Sequence, residues 1–466
     1  KMKNKKFAIL SIFIIFILLG ISIINSNSVK QYLKAIIPTE IKNKISRLIF
    51  YEKILLDREL KYNDLKKKYD NTISYLKESK QNVKDEIKLK SSLEKIQFNY
   101  QYEKNFSIFD KKVNSRFFKN DNQLLVGIFQ IFPGSAYLDF YENQMFIISS
   151  TGLIGYTREF KDSDNIKFTQ IYNNIDKYIN EKQFTKKTYF SIKDILIKND
   201  KIFVSYTKEK KQDCWITSVL YAQINLKNLN FVELFDGGDQ CVLNDNNEFN
   251  GLSSGGKIQL IDEENIILTQ GEYGLRSLAQ DMNSLFGKTI KINIKSGKYE
   301  ILTMGHRNPQ GLLYDEEEEI LLSSEHGPQG GDEINLIPIK SDKINNFGWP
   351  ISSYGEHYGG LEGRNKHKYK DFPLYKSHKK YGFKEPIKFF VPSIATSEII
   401  ALGNKEYVLG SLKAKVLYLF KLDDKNSVIR QNRILIGERI RDISFYKNKI
   451  YLFLEDTASI CIIDLS

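Results

Sequence analysis

The chain is short of the residues that announce a thiolate metal centre or a redox pair. Only three of its 466 residues are cysteine and five are histidine. Cys214, Cys241 and Cys461 form no C-x-x-C word, which excludes a dithiol redox centre and a cysteine-rich zinc module. Cys214 and Cys241 sit in one local segment and can pair in an oxidising compartment, leaving Cys461 as a buried free thiol. Three reduced core cysteines is the other arrangement. Nucleic-acid motifs are missing too: there is no RNA-binding aromatic word and no zinc-finger spacing. The net charge of +12 does not reverse this. Residues 1–105 hold 22 Lys/Arg against 11 Asp/Glu, and the remainder 47 against 46, so the body of the chain is close to neutral and no nucleic-acid partner is expected.

Glycine is absent between Val29 and Lys104, where Pro38 is the one proline. Ahead of that stretch, Lys1, Lys3, Lys5 and Lys6 precede an apolar run from Phe7 to Ile24, near the ~20 residues that cross a bilayer as a helix. The reading is an N-terminal membrane anchor over 1–27, an uncleaved signal anchor with a cleaved signal peptide as the alternative. Basic residues in front place the following domain outside, facing the periplasm or cell exterior, with the inner membrane as a partner. Residues 28–105 read as a helical stalk. Leu65, Tyr69, Ile73, Leu76, Val83 and Ile87 recur at helical steps. Thr72, Ser79 and Glu86 break the heptads, so any self-association through the stalk is weak.

From residue 106 to 466 the texture is that of strands. A short alternating strand, a polar turn and a second apolar strand recur six times, beginning at Tyr137, Ile192, Lys257, Gln310, Ser397 and Ile440. Such repetition predicts an all-β fold, a six-bladed β-propeller preceded by the membrane helix and stalk. A parallel-sheet fold would show amphipathic helices between the strands. The chain ends directly after a strand, as expected if first and last segments close the ring together.

The densest polar writing lies between Gly305 and Pro350: GHRNPQGLLYD, LLSSEHGPQGGDEINLI and NNFGWP. These words fall at strand ends and loops, where binding groups are commonly set on a rigid scaffold. Together with GSLKAKVLYLFKLD and GERIRDI they resemble the glucose/sorbosone dehydrogenase family, soluble aldose dehydrogenases that use pyrroloquinoline quinone (PQQ). The resemblance runs from about Tyr137 to Ser466 and implies the same six-bladed fold.

It also implies a site. A flat tricarboxylate needs several cations and forked donors, and Arg307, Asn308, Lys413, Arg439 and Arg441 fall on the family's cofactor-binding positions. The family's calcium ion is held by main-chain carbonyls of a Gly-Pro word, here Gly327 and Pro328. Asp332 and Glu333 follow in the same loop, as further carboxylates for the site or as charges that order the turn, and His326 suits a loop tie or channel lining. One departure stands out. The family's catalytic histidine opens an H-x-G-G-R-L word, and the matching stretch here is Ser253-Ser254-Gly255-Gly256-Lys257-Ile258. A serine hydroxyl is too weakly basic to take a proton near neutral pH. Glu272, in TQGE, stands where the family orients its histidine through an aspartate; it is either a strand-end residue with a hydrogen-bonding role or, if burial raises its pKa, a base. The expected activity is oxidation of an aldose or related alcohol or aldehyde by hydride transfer to calcium-bound PQQ, with Arg307, Glu272 and Asp332 at the catalytic centre and electrons passing to a further acceptor. The alternative is a propeller that binds carbohydrate or protein without turnover.

Overall fold

A computed structural model of the chain describes residues 63, 65–66, 96–120, 135–158, 165–179, 191–245 and 248–466. The chain divides into two compact units, Lys1–Leu89 and Lys90–Ser466. In the first, the described residues Asn63, Leu65 and Lys66 are helical.

The second unit is built from four-stranded antiparallel blades. Their inner strands are Ala136–Tyr141, Ile192–Lys198, Gly255–Leu260, Pro309–Asp315, Thr396–Gly403 and Ile440–Tyr446, numbered here as blades 1 to 6. These are the six repeats read from the sequence. Each inner strand touches the next and the sixth touches the first, so the ring closes. The polar words between paired strands are tight reversals. Asn199-Asp200, Asn404-Lys405 and Lys447-Asn448 all take positive φ at both positions, the geometry of two-residue hairpin turns whose twist matches the strands. Closure uses chain from both ends: Lys111–Asn120 adds the fourth strand to blade 6 by pairing with Ser459–Asp464. Its hairpin partner Ile96–Ile108 also pairs with the outer strand Asn165–Asn173 of blade 1.

This corrects the expected N-terminal architecture. Where the stalk was expected to reach residue 105, Ile96–Ile108 is a strand, and its ends carry the alternation of one (Ile96, Phe98, then Phe106, Ile108 buried). Among the described residues no helix is long and apolar enough to cross a membrane. The transmembrane helix, the helical stalk and the membrane-anchored, periplasm-facing placement are therefore not supported, and the run Phe7–Ile24 lies outside the described residues.

Six apolar clusters fill the gaps between successive blades. Carboxylates on the inner strands add a second kind of tie. Asp442 Oδ2 accepts from Leu138 N at 2.7 Å, Asp194 Oδ2 from Ile258 N at 2.9 Å and Glu398 Oε1 from Leu312 N at 3.2 Å, each joining one blade to its neighbour. Lys257 sits among these three residues, its Nζ 2.7 Å from Asp194 Oδ1 and 3.4 Å from Asp442 Oδ1, with Glu398 Oε2 also in contact. Burial raises the carboxyls of Asp194 and Glu398, while the three carboxylates together overcome burial of Lys257 and hold it charged. Where the propeller has its axle, this chain has a buried ionic knot. Cys214 and Cys241 form a disulfide with a Cα–Cα distance of 5.4 Å, and Cys461 is a buried free thiol.

Candidate functional site

A cleft of about 590 Å³ opens where blades 3 and 4 meet. Ser253, Glu272 and Arg307 all line it, so the structure gathers three of the sequence-derived positions on one wall. Ser253 ends a short 3-10 turn, Gly251–Ser253, capped by Asn250, whose side chain accepts from Leu252 N. The Ser253 carbonyl accepts from Tyr273 N at 2.9 Å. That fold-back explains Gly271 of the TQGE word: a Cβ there would lie 2.0 Å from the Ser253 carbonyl oxygen.

Glu272 follows directly. Its backbone N donates to the Arg307 carbonyl at 3.0 Å, which binds the blade 3 strand end to the GHRN word. The side chain is only 2 % exposed, and its Oε2 has no hydrogen-bond partner among the described residues. Burial pushes the carboxyl above its usual range, while Arg307, Arg276 and a hydrogen bond from the Gly274 backbone pull the other way. An orphaned acceptor this deeply buried is costly unless a ligand meets it.

Arg307 is fixed from several sides. Its N donates to Glu325 Oε2 at 2.7 Å, and Glu325 is itself held by His306 Nδ1 at 3.0 Å and by Asn335 Nδ2 at 2.7 Å. Arg307 Nη1 donates to the His326 carbonyl at 3.0 Å, and the guanidinium lies 5.6 Å from the Trp349 ring of the NFGWP word. Asn308 Oδ1 accepts from Gly255 N at 3.1 Å, tying the cofactor word to the S-S-G-G word.

Other expected positions take different roles. Asp332 is fully buried: Oδ1 accepts from Gly327 N, and Oδ2 from Ser393 Oγ, Ile394 N and Ala395 N, all at 2.6–3.0 Å. These four hydrogen bonds tie the EHGP loop to the Ser393–Ala395 turn, the turn-ordering role that the sequence left open for it. Glu333 contacts His378 Nε2 at 3.2 Å. His326 is anchored through Nε2 to the Thr396 carbonyl at 2.6 Å; burial lowers its pKa, and Arg307 and Arg441 reinforce that against Asp332. Arg439 and Arg441 converge on the buried Glu455, with Nε donating at 3.0 Å in each case and Arg441 Nη2 at 2.8 Å. Burial alone would raise Glu455, but the two guanidiniums hold it below the ordinary carboxylate range. Lys413 is exposed, its N bound to the Ile394 carbonyl. Gly327 and Pro328 are both buried, and among the described residues no hydrogen bond to either carbonyl is seen, which leaves both oxygens available to a hard cation such as calcium.

Two sets of residues escaped the sequence reading. Lys193, on the inner strand of blade 2, is buried with its pKa lowered to about 7 by burial and by Arg441, against the pull of Glu455. Its side chain packs where a Cβ on Gly256 would fall, 2.4 Å away, so the second glycine of S-S-G-G clears room for it. A lysine inside the apolar IKDILIK strand was the available signal. The other set is the segment 354–386, which supplies Tyr358, Arg364, Asn365, His367 and Lys368 to the cleft wall.

A sequence profile described as Glucose / Sorbosone dehydrogenase matches residues 192–463, more than half of the chain. The chain belongs to the glucose/sorbosone dehydrogenase family. The aldose sugar dehydrogenase YliI of Escherichia coli (strain K12) is 28% identical over 227 residues, 44% of this chain and 57% of that protein. The chain thus spans little more than half the length of the curated relatives it matches. Among solved structures, the soluble aldose sugar dehydrogenase from Escherichia coli in its apo form is similar with TM-score 0.57 and 20% identity, covering 76% of this chain and all of that one. The PQQ-bound form of an aldose sugar dehydrogenase from Streptomyces coelicolor gives 0.51 and 18%, covering 71% and 94%. Both share the fold of this family member.

Proposed function

We propose that this protein is an oxidoreductase of sugars or related alcohols and aldehydes, with PQQ and calcium as cofactors and Glu272 in the proton-accepting role. Glu272 Oε2 carries the proposal: a buried, unpartnered carboxylate oxygen on the wall of a cleft that also holds Arg307 and Ser253. The residues present suit the cofactor. Arg439 and Arg441 are guanidiniums gathered on Glu455, Lys413 is exposed, and Arg307 has donors beyond the one given to His326. The Gly327 and Pro328 carbonyls suit calcium. That the similar aldose sugar dehydrogenase from Streptomyces coelicolor has a PQQ-bound form supports the same choice.

When bound, PQQ supplies the hydride acceptor. The protein's own share is to place the substrate carbon and to remove the hydroxyl proton. Glu272 takes that proton as the C–H hydride leaves the same carbon, and the substrate becomes the carbonyl compound. Arg307, held rigid by Glu325, His326 and Trp349, stabilises negative charge developing beside it. Ser253, with no basic nitrogen, is confined to hydrogen bonding.

Ser253 also favours a second reading, a binding propeller without turnover. Reconstitution with PQQ and calcium separates the two. Oxidised PQQ bleached by a sugar substrate supports the enzyme; PQQ that binds and stays oxidised with neutral, acidic and phosphorylated sugars alike supports the binding propeller.

A further inference from the structure

Resting on that sugar-binding reading, we propose that the cleft selects an anionic sugar, a monosaccharide carrying a carboxylate or a phosphate ester, over a neutral aldose. Four permanent cations line it, Arg276, Arg307, Arg364 and Lys368, against two carboxylates, Glu248 and Glu272. Arg307 belongs to the cofactor side described above. The other three come from elements that carry none of the cofactor-type residues. Arg276 begins the short 3-10 turn Arg276–Ala279 inside blade 3, and Arg364 and Lys368 come from the 354–386 segment within blade 4.

The local bookkeeping leaves positive charge over. Glu248 accepts from Lys368 Nζ at 2.8 Å and lies 3.8 Å from Arg276 Nη1, so a single carboxylate faces two cations. Burial alone would raise Glu248, but Lys368 and Arg276 hold it low and keep it ionised. Arg364 is exposed and forms no ion pair among the described residues. Arg276 is different in kind, with a side chain 14% exposed. Its guanidinium lies 5.9 Å from both the Trp349 and Phe372 rings, and its Nε is buried without a hydrogen-bond partner. A largely buried guanidinium held beside two rings on the cleft wall is preorganised for a charged acceptor. Carboxylate and phosphate oxygens match its donor fork, and a sugar hydroxyl leaves the excess charge unanswered. Phe249 and Tyr358 add apolar surface for a sugar ring, and the volume is within the range of small-molecule sites.

The test is calorimetric binding of D-glucuronate, D-glucose 6-phosphate and D-glucose to the full chain without cofactor, at low and high salt. At least one charged sugar is expected to bind about tenfold or more tightly than glucose, the scale of one hydrogen bond to a charged group. The preference should shrink in high salt and in both Arg364→Gln and Arg276→Gln. Arg364 is exposed, so its variant should keep the wild-type melting temperature even if Arg276→Gln does not. Which charged sugar wins separates a carboxylate ligand from a phosphate one. Equal affinity for all three sugars, no binding of any, or a preference that survives both substitutions overturns the proposal. Its failure is distinct from failure of the dehydrogenase reading. PQQ bleached by glucose but by neither charged sugar sinks only the anion preference, and PQQ that never binds leaves a measured charged-sugar preference standing.

Discussion

Replacing Glu272 by glutamine keeps the shape of the side chain and removes its ability to accept a proton. If Glu272 is the base, the substitution forfeits general-base catalysis, about 10²–10⁴ in rate or roughly 3–5 kcal/mol of barrier. The same substitution should not weaken the fold. Burial raises the Glu272 carboxyl, so its contribution to stability is fully present below its unfolded-state pKa and lost as pH rises through the folded one. At neutral pH and above, a neutral amide is therefore level with the carboxylate or better. The assay is stopped-flow bleaching of PQQ in protein reconstituted with calcium, followed against pH. Wild-type kcat/KM is expected to rise with pH through the raised Glu272 pKa, and Glu272→Gln to be slow throughout and to lack that rise. A variant within about twofold of wild type, far inside the range for a lost base, would refute the assignment.

Further outcomes follow from the same geometry. Asp332→Ala removes the acceptor of four hydrogen bonds around Gly327 and Ser393–Ala395, and should cost about 3 kcal/mol in denaturant unfolding together with calcium-dependent PQQ affinity. Lys257→Met strands three buried carboxylates and should cost about 3–5 kcal/mol. That loss should ease as pH falls and Glu398 and Asp194, both raised by burial, take up protons; a pH-independent loss would contradict the ionic account. Serine at both Cys214 and Cys241 opens a loop of sequence separation 27, a loss of about 3.5 kcal/mol on the chain-entropy estimate, read from unfolding midpoints.

The ring of blades was legible because each inner hairpin repeats the same alternation and turn chemistry, and Tyr137, Ile192, Lys257, Gln310, Ser397 and Ile440 all fall on or next to inner strands. The N-terminal boundary was misread. Lys and Glu between Ile96 and Phe106 look like the surface of a helix until the strand is seen to have one exposed flank. In the site, Arg307 and Glu272 could be named from their words, but their convergence depends on Glu272 N meeting the Arg307 carbonyl, a contact between residues 35 positions apart in sequence. Asp332 is a related case. Sequence shows a carboxylate beside a Gly-Pro word, and only the fold reveals that it also ties down the Ser393–Ala395 turn. Lys193 and the pairing of Arg439 and Arg441 on Glu455 were hidden because each needs a partner from another strand or blade.

The most direct test of the account is equilibrium binding of PQQ to the purified full chain, with calcium and with a chelator present. The account expects tight binding that depends on calcium and weakens in Arg441→Ala and Lys413→Ala. No binding under either condition would contradict it, leaving Arg307, Lys413, Arg439 and Arg441 without the ligand proposed for them.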